Sequence, residues 1–326
     1  MPLLQTRGAG SAQGFGFAAP SGGGGGGGDG TVGIFALGLS FPSTATRNKY
    51  TYACDTSTAC GVGTASVASY GGSAAGNSTR GIFQLGGTPS ASNIRNKYTY
   101  ATCSSTACGV ATSSAVSQYG AAAGNSTRGI FALGSEPGVT TRNKYTYATC
   151  ASTACGVGAA CVASFDQSAA GNSTRGIFAI GNIGSPAAST IRNKYTYATC
   201  ASTACGVGAA SIASAGGAAA GNSTRGIFAL GRDASYTAYT TRDKYTYASC
   251  TSTSSGVGVA SAASRNGSAT GNSTRGIFAL GFAGGISSIR NKYTYATCTS
   301  TACGVASASA NSFFSSAVSW ATCVNS

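Results

Sequence analysis

The stretch GNSTRGIFALG occupies Gly221–Gly231 and recurs along the chain. A second stretch, RNKYTY, follows each copy, and a third, typified by CGVGAAS at Cys205–Ser211, follows that one. Six copies of one unit therefore account for nearly all of the chain after residue 30. The other copies of the first stretch, the last of them degenerate (TVGIFALG), are Gly76–Gly86, Gly124–Gly134, Gly171–Gly181, Gly271–Gly281 and Thr31–Gly38.

The period of the repeat predicts the fold. Successive isoleucines of the GIF stretch, from Ile34 to Ile277, are separated by steps of 48, 48, 47, 50 and 50 residues. β-Propellers repeat every ~40–50 residues with about four strands per blade, whereas helical repeats need long 3.6-residue apolar periodicity, which is absent here. GIFALG, KYTYATC and GVGAASxAS are typical of strands. We therefore predict an all-β, six-bladed β-propeller over residues 31–326, with one repeat of ~48 residues per blade.

Composition disfavours an enzyme. The 326 residues include 20 Lys and Arg against 6 Asp and Glu, for a net charge of +14, and they include no histidine. The absence of histidine removes the Ser-His-Asp and Cys-His nucleophile systems and histidine-based metal sites. The six acids are scattered, so no carboxylate pair suggests acid–base chemistry. We expect no catalysis, no cofactor and no bound metal, and the lack of a long apolar run predicts no membrane insertion.

Residues 1–30 differ from the repeats. They begin MPLLQTRGAGSAQGFGFAAP and continue into seven glycines, Gly22–Gly28. A glycine run is typical of a flexible linker, and the small, semi-apolar Thr6–Phe17 suits a peptide that becomes ordered on a partner. This predicts a docking peptide and linker over residues 1–30, followed by the propeller.

Two stretches resemble known proteins. The opening MPLLQTRGAGSAQGFGF is similar to the start of many tailed-phage virion proteins, which read TRGAASAxGFGF before a glycine-rich stretch. The repeat TRGIFALG…YTYATCTSTACGVG resembles the TRGVFGGG…YITIATTGNATDFG repeats of phage virion-associated proteins, which look like kelch-type blades. This chain departs from them in having Ala-Leu-Gly for Gly-Gly-Gly and in its added cysteines.

The resemblance implies kelch-like blades and a structural protein of the extracellular phage particle: a tail fibre, baseplate, neck or capsid-decoration protein. Residues 1–30 would contact other virion proteins, and the propeller would contribute to host-surface adhesion through its variable loops. Assembly of several copies in the particle stays open. The alternative from another class is a secreted or cell-surface, lectin-like binding module.

Seventeen of the twenty cations occupy repeated slots at strand starts, so the ring predicts circles of charge, and antiparallel neighbours would put the two circles near opposite faces. One interpretation is a surface for anionic host glycans. The favoured one is that these side chains cap strand ends and keep the protein soluble. Nucleic acid is a less expected ligand, because the paired tyrosines of RNKYTY share one strand face and suit packing between blades. The RNKY arginines are Arg47, Arg95, Arg142, Arg192, Arg242 and Arg290.

Four repeats contain C-x4-C. A four-residue hairpin loop such as SSTA would bring the two cysteines of each pair within disulfide distance. Buried free thiols are the close alternative. A zinc site is disfavoured, because each blade offers two sulfurs and zinc prefers four ligands. The predicted pairs are Cys103/Cys108, Cys150/Cys155, Cys200/Cys205 and Cys298/Cys303. The cysteines without an assignable partner are Cys54, Cys60, Cys161, Cys250 and Cys323.

Three further features concern the loops and termini. Each GNST is formally a glycosylation sequon, but we favour a turn in which Gly-Asn tolerates left-handed backbone. The segments between GIFALG and RNKY differ among copies and should all lie on one face, where recognition usually resides; Arg232–Thr241, with Arg232, Tyr236 and Tyr239, is the candidate ligand surface. The C-terminal AVSWATC is expected to supply a strand that closes the ring.

Overall fold

The computed structural model describes residues 31–319, except 37, 40, 41, 60, 61, 89, 108, 155, 156, 185, 186, 205, 206 and 303. All regular secondary structure in that range is β, arranged as a six-bladed propeller. No helix there is long and apolar enough to cross a bilayer. The docking peptide and linker predicted over residues 1–30 lie outside the described residues.

Each blade is a four-stranded antiparallel sheet. The inner strands are β4 (Ser73–Gly76), β8 (Ala121–Gly124), β12 (Ser168–Gly171), β16 (Ala218–Gly221), β20 (Ser268–Gly271) and β24 (Ser316–Ser319). The second strands are β1 (Val32–Ala36), β5 (Arg80–Gln84), β9 (Arg128–Ala132), β13 (Arg175–Ala179), β17 (Arg225–Ala229) and β21 (Arg275–Ala279). The third strands are β2 (Arg47–Thr51), β6 (Arg95–Thr99), β10 (Arg142–Thr146), β14 (Arg192–Thr196), β18 (Arg242–Thr246) and β22 (Arg290–Thr294). The outer strands are β3 (Thr56–Thr58), β7 (Ser104–Thr106), β11 (Ala151–Thr153), β15 (Ala201–Thr203), β19 (Thr251–Thr253) and β23 (Thr299–Thr301).

The ring closes through its first blade. Blade 1 has the strand order β24-β1-β2-β3, whereas blades 2–6 each use four consecutive strands. Val318 of β24 lies opposite Ile34 of β1 in antiparallel register, and Val318 is fully buried. The prediction that the C-terminal stretch supplies a closing strand is confirmed, because both chain ends meet in one sheet and remove the open edge.

Two of the three predicted strands are confirmed, and one is wrong. GIFA and RNKYT form the second and third strands, but GVGAASxAS is an irregular connection from one blade to the next. The inner strand is the SAAG that follows it, and the outer strand is the short AST stretch after the first cysteine. Alanine, serine and glycine are poor strand formers, so only the neighbouring strands make these segments extended.

The hydrophobic core lies between blades. Adjacent residues of a strand face opposite sides of the sheet, so Ile82 of blade 2 packs against Phe131, Tyr145 and Tyr147 of blade 3, while Phe83 packs toward blade 1. All twelve tyrosines of the RNKYTY stretches are at most 2% exposed. The predicted packing role of the paired tyrosines is therefore confirmed.

The glycine of RGIF allows the blades to approach closely. A Cβ on Gly129 would lie 2.9 Å from the Ala75 Cβ of the preceding blade and 2.9 Å from the Tyr147 hydroxyl. Such separations are sterically forbidden, so a side chain there would push the blades apart. The glycine after the strand has another role: Gly86 has a φ of 79°, which favours glycine.

The GNST stretch forms the predicted turn, but by another mechanism. Gly124 and Asn125 are not in left-handed conformation. Instead, the Asn125 Oδ1 accepts hydrogen bonds from the backbone amides of Thr127 and Arg128 at 3.0 and 3.1 Å. Its Nδ2 donates to the Ser173 carbonyl of the next blade at 3.2 Å. The turn thus uses its asparagine to connect blades.

Removing the closing strand should weaken the whole ring. Truncation after Ser315 deletes β24, exposes the buried face around Ile34 and leaves an unpaired edge on β1. We expect the midpoint of thermal unfolding to fall by at least about 5 °C, measured by circular dichroism. Truncation after Trp320, which leaves β24 intact, is the control, and equal midpoints for the two truncations would contradict the closure.

Candidate functional site at the axial mouth

The propeller presents two different faces. The first, here called the turn face, carries the GNST turns and the turns between third and outer strands. The opposite loop face carries the variable segments between second and third strands, together with the connections that lead into each inner strand. All six variable segments therefore lie on one face, as predicted.

The RNKY arginines do not form a ligand surface. The Arg95 guanidinium lies over the Phe131 ring of the next blade, 4.5 Å from its centroid. It donates to the Ser152 Oγ at 2.6 Å and to the Asn143 Oδ1 at 3.4 Å. The surface prediction is wrong because the side chain crosses the blade interface. The role is structural, as favoured, but the side chain bridges two blades and neither caps a strand end nor contributes to solubility. The same holds for all six, each only 1–2% exposed: Arg47, Arg95, Arg142, Arg192, Arg242 and Arg290.

These buried cations are stabilised mostly by neutral groups. Burial lowers the pKa of Arg95, and of four of its counterparts, to about 10. Arg192 differs because its partner is a carboxylate: Asp243, which replaces the usual asparagine, lies 2.9 Å away, and both side chains are fully buried. Burial still lowers the pKa of Arg192, and the charge of Asp243 opposes that change.

A ring of backbone hydrogen bonds surrounds the axis at the loop face. Its members lie two residues before each inner strand, and each interacts with the preceding blade. The Tyr119 amide donates to the Gly71 carbonyl at 2.7 Å, and Gly71 donates to Phe314 at 2.7 Å. Between blades 3 and 4, the Gln167 amide donates to the Tyr119 carbonyl at 3.3 Å. We call this ring the axial collar: Gly71, Tyr119, Asp166, Gly216, Asn266 and Phe314.

The collar holds side chains in unusual backbone conformations. All six members have φ between 52° and 63°. Only Gly71 and Gly216 are glycines; the left-handed region is unfavourable for bulky residues such as Tyr119 and Phe314. Strain of this kind persists where the surrounding structure imposes it, and it is enriched at functional sites.

Aromatic and charged side chains encircle the axis next to the collar. The Tyr119 and Phe314 rings lie 4.8 Å apart, and Tyr70 contacts both. Phe313 continues the series from Phe314 at 4.8 Å. On the other side, the Arg265 guanidinium lies 4.7 Å from the Phe282 ring. We call this group, with Tyr236 and Arg232, the axial belt: Tyr70, Tyr119, Phe314, Phe313, Phe282, Arg265, Tyr236 and Arg232.

The candidate loop Arg232–Thr241 contributes to this belt in part. Tyr236 is 57% exposed, and its ring lies between two guanidiniums, 4.1 Å from Arg232 and 5.6 Å from Arg265. Arg232 is 6% exposed and forms an ion pair with Asp166 at 2.9 Å. Tyr239 is half-buried and donates to the Asp233 carboxylate at 3.2 Å. Only Tyr236 presents a large surface to a ligand; Arg232 supports its ring, and Tyr239 holds the loop.

Asp166 connects the axial collar to the axial belt through its ion pair with Arg232. Burial raises the pKa of its carboxyl, and the charge and hydrogen bond of Arg232 oppose that rise. The Asn182 Nδ2 also donates to Asp166 at 3.3 Å. A buried pair of this kind fixes geometry more than it adds stability, so the Arg232 side chain is held in place beneath Tyr236.

The cavities along the propeller axis are too small for a drug-sized ligand. A cavity of about 40 Å³ lies at the collar, and another of about 60 Å³ lies deeper, lined by glycine, serine and alanine of the six inner strands. Ligand pockets for drug-sized molecules occupy roughly 300–1,000 Å³. A ligand would therefore rest on the mouth, against the belt.

Sequence reasoning found one part of this site and missed the rest. The missed positions are the two residues that precede each inner strand by two or three places. They read Tyr-Gly, Gln-Tyr, Phe-Asp, Ala-Gly, Arg-Asn and Phe-Phe across the six repeats. The within-chain variability that pointed to the segments after GIFALG was present here too, but a dipeptide next to a predicted strand gave no sign that it faces the axis.

The predicted hairpin disulfides are not borne out at Cys150, Cys200 and Cys298. Cys150, Cys200 and Cys298 are free thiols, because the residues after each form an outer strand instead of a hairpin loop. Their predicted partners Cys155, Cys205 and Cys303 lie outside the described residues, as do Cys60, Cys108 and Cys323, so the Cys103/Cys108 pair stays a prediction. Cys54, Cys161 and Cys250 are free. Among the described residues, no three Cys, Asp or Glu side chains cluster as metal ligands would.

In blade 1, Asp55 occupies the position that cysteine has in the other blades. Like those cysteines it has a positive φ, here 53°. The carboxylate accepts hydrogen bonds from the Tyr50 hydroxyl at 2.8 Å and from the Lys292 Nζ at 2.6 Å, and it pairs with Arg275 at 3.3 Å. Burial alone would raise the pKa of Asp55, but these donors hold it below its ordinary value.

Comparison with models of known protein families and with curated proteins gives no match for this chain.

Replacing one bridging arginine should destabilise the protein strongly. In an Arg142→Met variant, the Ser202 hydroxyl and the Asn193 amide oxygen lose their buried donor, and the stacking on Phe178 is lost. We expect the free energy of unfolding to fall by about 2–4 kcal/mol. Lys144→Met, two residues along the same strand and half-buried, should change it by less than about 0.5 kcal/mol. Equal effects in denaturant titrations would contradict the bridging role.

The ion pairs of Asp55 should stabilise the protein at neutral pH and lose that effect in acid. Because its folded-state pKa is lowered, the stabilisation is present above the unfolded value of about 3.9 and disappears as pH falls through the folded value. Thermal unfolding midpoints of the wild type and Asp55→Asn should differ at pH 7 and converge below about pH 4. A difference that is independent of pH would contradict this account.

Proposed function

We propose that this protein is a structural component of a phage particle that binds a host-surface saccharide at the axial mouth of its loop face. Residues 1–30 are the attachment to other virion proteins, and the propeller is the rigid display unit. The observation that carries the binding part is the axial belt, where half-exposed aromatic rings and two guanidiniums surround the one point at which all six blades meet. The proposal includes no catalytic step.

The belt has the chemistry that a saccharide needs. Aromatic rings offer flat apolar surfaces, and Tyr236 is the most exposed large side chain of the group, at 57%. The polar group beside it that can fix the orientation of a ligand is the Arg265 guanidinium, 5.6 Å from the Tyr236 ring centroid. Because the collar is fixed by backbone hydrogen bonds, little conformational entropy is lost when a ligand binds.

The charge of the belt favours an acidic saccharide. Arg232 and Arg265 both lie within 6 Å of the Tyr236 ring centroid, and of the two only Arg232 has a carboxylate partner in the part of the chain that the structure describes. Arg265 donates one hydrogen bond to the Tyr236 carbonyl and keeps further donors for a carboxylate or phosphate. Nucleic acid is a poorer candidate, because the twelve repeated tyrosines and six repeated arginines are buried between blades.

The assignment to a phage particle rests on the resemblance of residues 1–17 and of the repeat to virion proteins. A secreted or cell-surface lectin-like module is the second candidate, and the same belt favours it equally. The two share a ligand chemistry and differ in where the protein resides.

The saccharide is tested with the full chain and one exposed residue. Tyr236→Asn removes the ring while keeping a residue that tolerates left-handed backbone. Binding to a panel of acidic and neutral bacterial surface polysaccharides should favour acidic ones, weaken with salt and fall at least about tenfold in the variant. Val259→Ala, at a residue with similar exposure of 55%, is the control.

Two outcomes distinguish the parts of the proposal. No binding to any polysaccharide, or equal binding by wild type and Tyr236→Asn, would refute the saccharide site. Mass spectrometry of purified phage particles tests the location: presence supports the virion assignment, and absence with intact saccharide binding would establish the lectin-like alternative.

A further inference from the structure

Four cysteines occupy equivalent slots near the turn face. Each lies in the turn between a third and an outer strand with φ between 53° and 56°, and each is half-buried. An arginine of the preceding blade reaches every sulfur: the Arg175 Nη1 lies 3.5 Å from the Cys250 Sγ. The equivalent distances for Cys150, Cys200 and Cys298 are 3.6, 3.7 and 3.7 Å, to Arg80, Arg128 and Arg225.

The corresponding slot in blade 1 holds an anion. There Asp55 takes the place of the cysteine, and the same two groups serve it: Arg275 of the preceding blade at 3.3 Å and the Tyr50 hydroxyl at 2.8 Å. The backbone conformation is also the same, with φ of 53° for Asp55 and 55° for Cys250. One architecture therefore accommodates a carboxylate in blade 1 and a cysteine sulfur in the other five blades, four of which have a free thiol in contact with an arginine.

A buried hydroxyl is directed at the sulfur in each of the four slots. Tyr245 is fully buried, and its hydroxyl has no hydrogen-bond partner of good geometry among the described residues. Burial, followed by the adjacent Cys250 thiol, raises the pKa of this phenol. Tyr145, Tyr195 and Tyr293 repeat the arrangement beside Cys150, Cys200 and Cys298. A buried hydroxyl without an acceptor is costly, and an anionic sulfur would supply one.

We propose that these slots are thiol-modification sites, and that Cys250 is a nucleophile that exchanges with low-molecular-weight disulfides. A guanidinium and a hydroxyl next to a cysteine sulfur can interact favourably with the negative charge that the sulfur carries during exchange. Cys250 is the clearest case because the residue five places later is Ser255, so its repeat lacks the second cysteine of C-x4-C. The inference is independent of the saccharide site, which lies on the opposite face.

The chemistry is an exchange without net oxidation. The Cys250 thiolate attacks one sulfur of the disulfide, a new sulfur–sulfur bond joins Cys250 to that sulfur, and the original bond breaks so that the other half leaves as a thiolate. The released thiolate takes a proton from solvent. Arg175 donates a hydrogen bond to the attacking sulfur, and the Tyr245 hydroxyl is placed to donate a second one when the sulfur carries negative charge; neither group transfers a proton in the step.

The test follows adduct formation site by site. The full chain is incubated with glutathione disulfide, and the modified fraction of each cysteine peptide is measured by mass spectrometry over time. Cys250 should react faster than Cys54 and Cys161, which are exposed thiols outside the slots. Arg175→Gln should slow the reaction of Cys250 at least about tenfold while leaving Cys200, whose arginine is Arg128, at its wild-type rate.

The unchanged rate of Cys200 also verifies that the variant is folded. Tyr245→Phe provides a second measurement, and it should slow Cys250 as well, because the hydroxyl donor is removed without changing the ring. A Cys250 rate that equals those of Cys54 and Cys161, or that is the same in wild type and Arg175→Gln, would overturn the proposal. Equal slowing of Cys250 and Cys200 in Arg175→Gln would also overturn it, since that points to general loosening of the blades.

Discussion

The propeller depends on a guanidinium that crosses from each blade to the next. Six arginines do this, and the last contact, Arg290 over the Phe35 ring at 4.3 Å, joins blade 6 to blade 1. Leaving water costs each cation free energy, as the lowered pKa values indicate, and that cost is recovered through stacking on the aromatic ring and hydrogen bonds to serine, asparagine and backbone carbonyls. Those acceptors come from three different segments of two blades. The arginine thereby fixes the distance and the angle between neighbouring sheets, which a purely apolar interface would leave less defined.

A fixed angle between blades has a consequence at the axis. Inner strands of alanine, serine and glycine approach closely enough for the collar residues of adjacent blades to exchange backbone hydrogen bonds. The collar in turn holds Tyr119, Asp166, Asn266 and Phe314 in left-handed conformations, which are unfavourable for the bulky Tyr119 and Phe314. The side chains of the axial belt are therefore attached to a rigid frame. The free energy that the strained collar conformations require is supplied by all six blade interfaces together. The same frame explains why the net charge of +14 is not a guide to function, because the six RNKY arginines are internal.

The sequence predicted features that a single repeat encodes. Period and composition were sufficient for six blades, and strand alternation was sufficient for the burial of pairs such as Tyr98 and Tyr100. It failed where a segment takes its structure from its neighbours: SAAG and AST are short and rich in poor strand formers, and they are extended only because a sheet is already present beside them. The prediction of three of the four disulfides was wrong for the same reason. It placed the residues between the paired cysteines in a hairpin loop, whereas they form the outer strand. Arg95 and its counterparts were placed correctly at a strand start, but nothing in the sequence says that the side chain crosses to Phe131.

The axial site could not be read from any one repeat because each repeat contributes only one or two residues to it. A motif search compares positions along the chain, and the candidate surface here is made by positions about 48 residues apart that meet only when the ring closes. Repeated residues are constrained by the interfaces, so they report on packing. The side chains at the axis do not have to fit a blade interface, because the collar residues join the blades through backbone hydrogen bonds. Gly71 and Tyr119, for example, make equivalent backbone hydrogen bonds in the collar. A closed repeat protein can therefore change its ligand by altering six side chains while its fold, and nearly all of its sequence, stays the same.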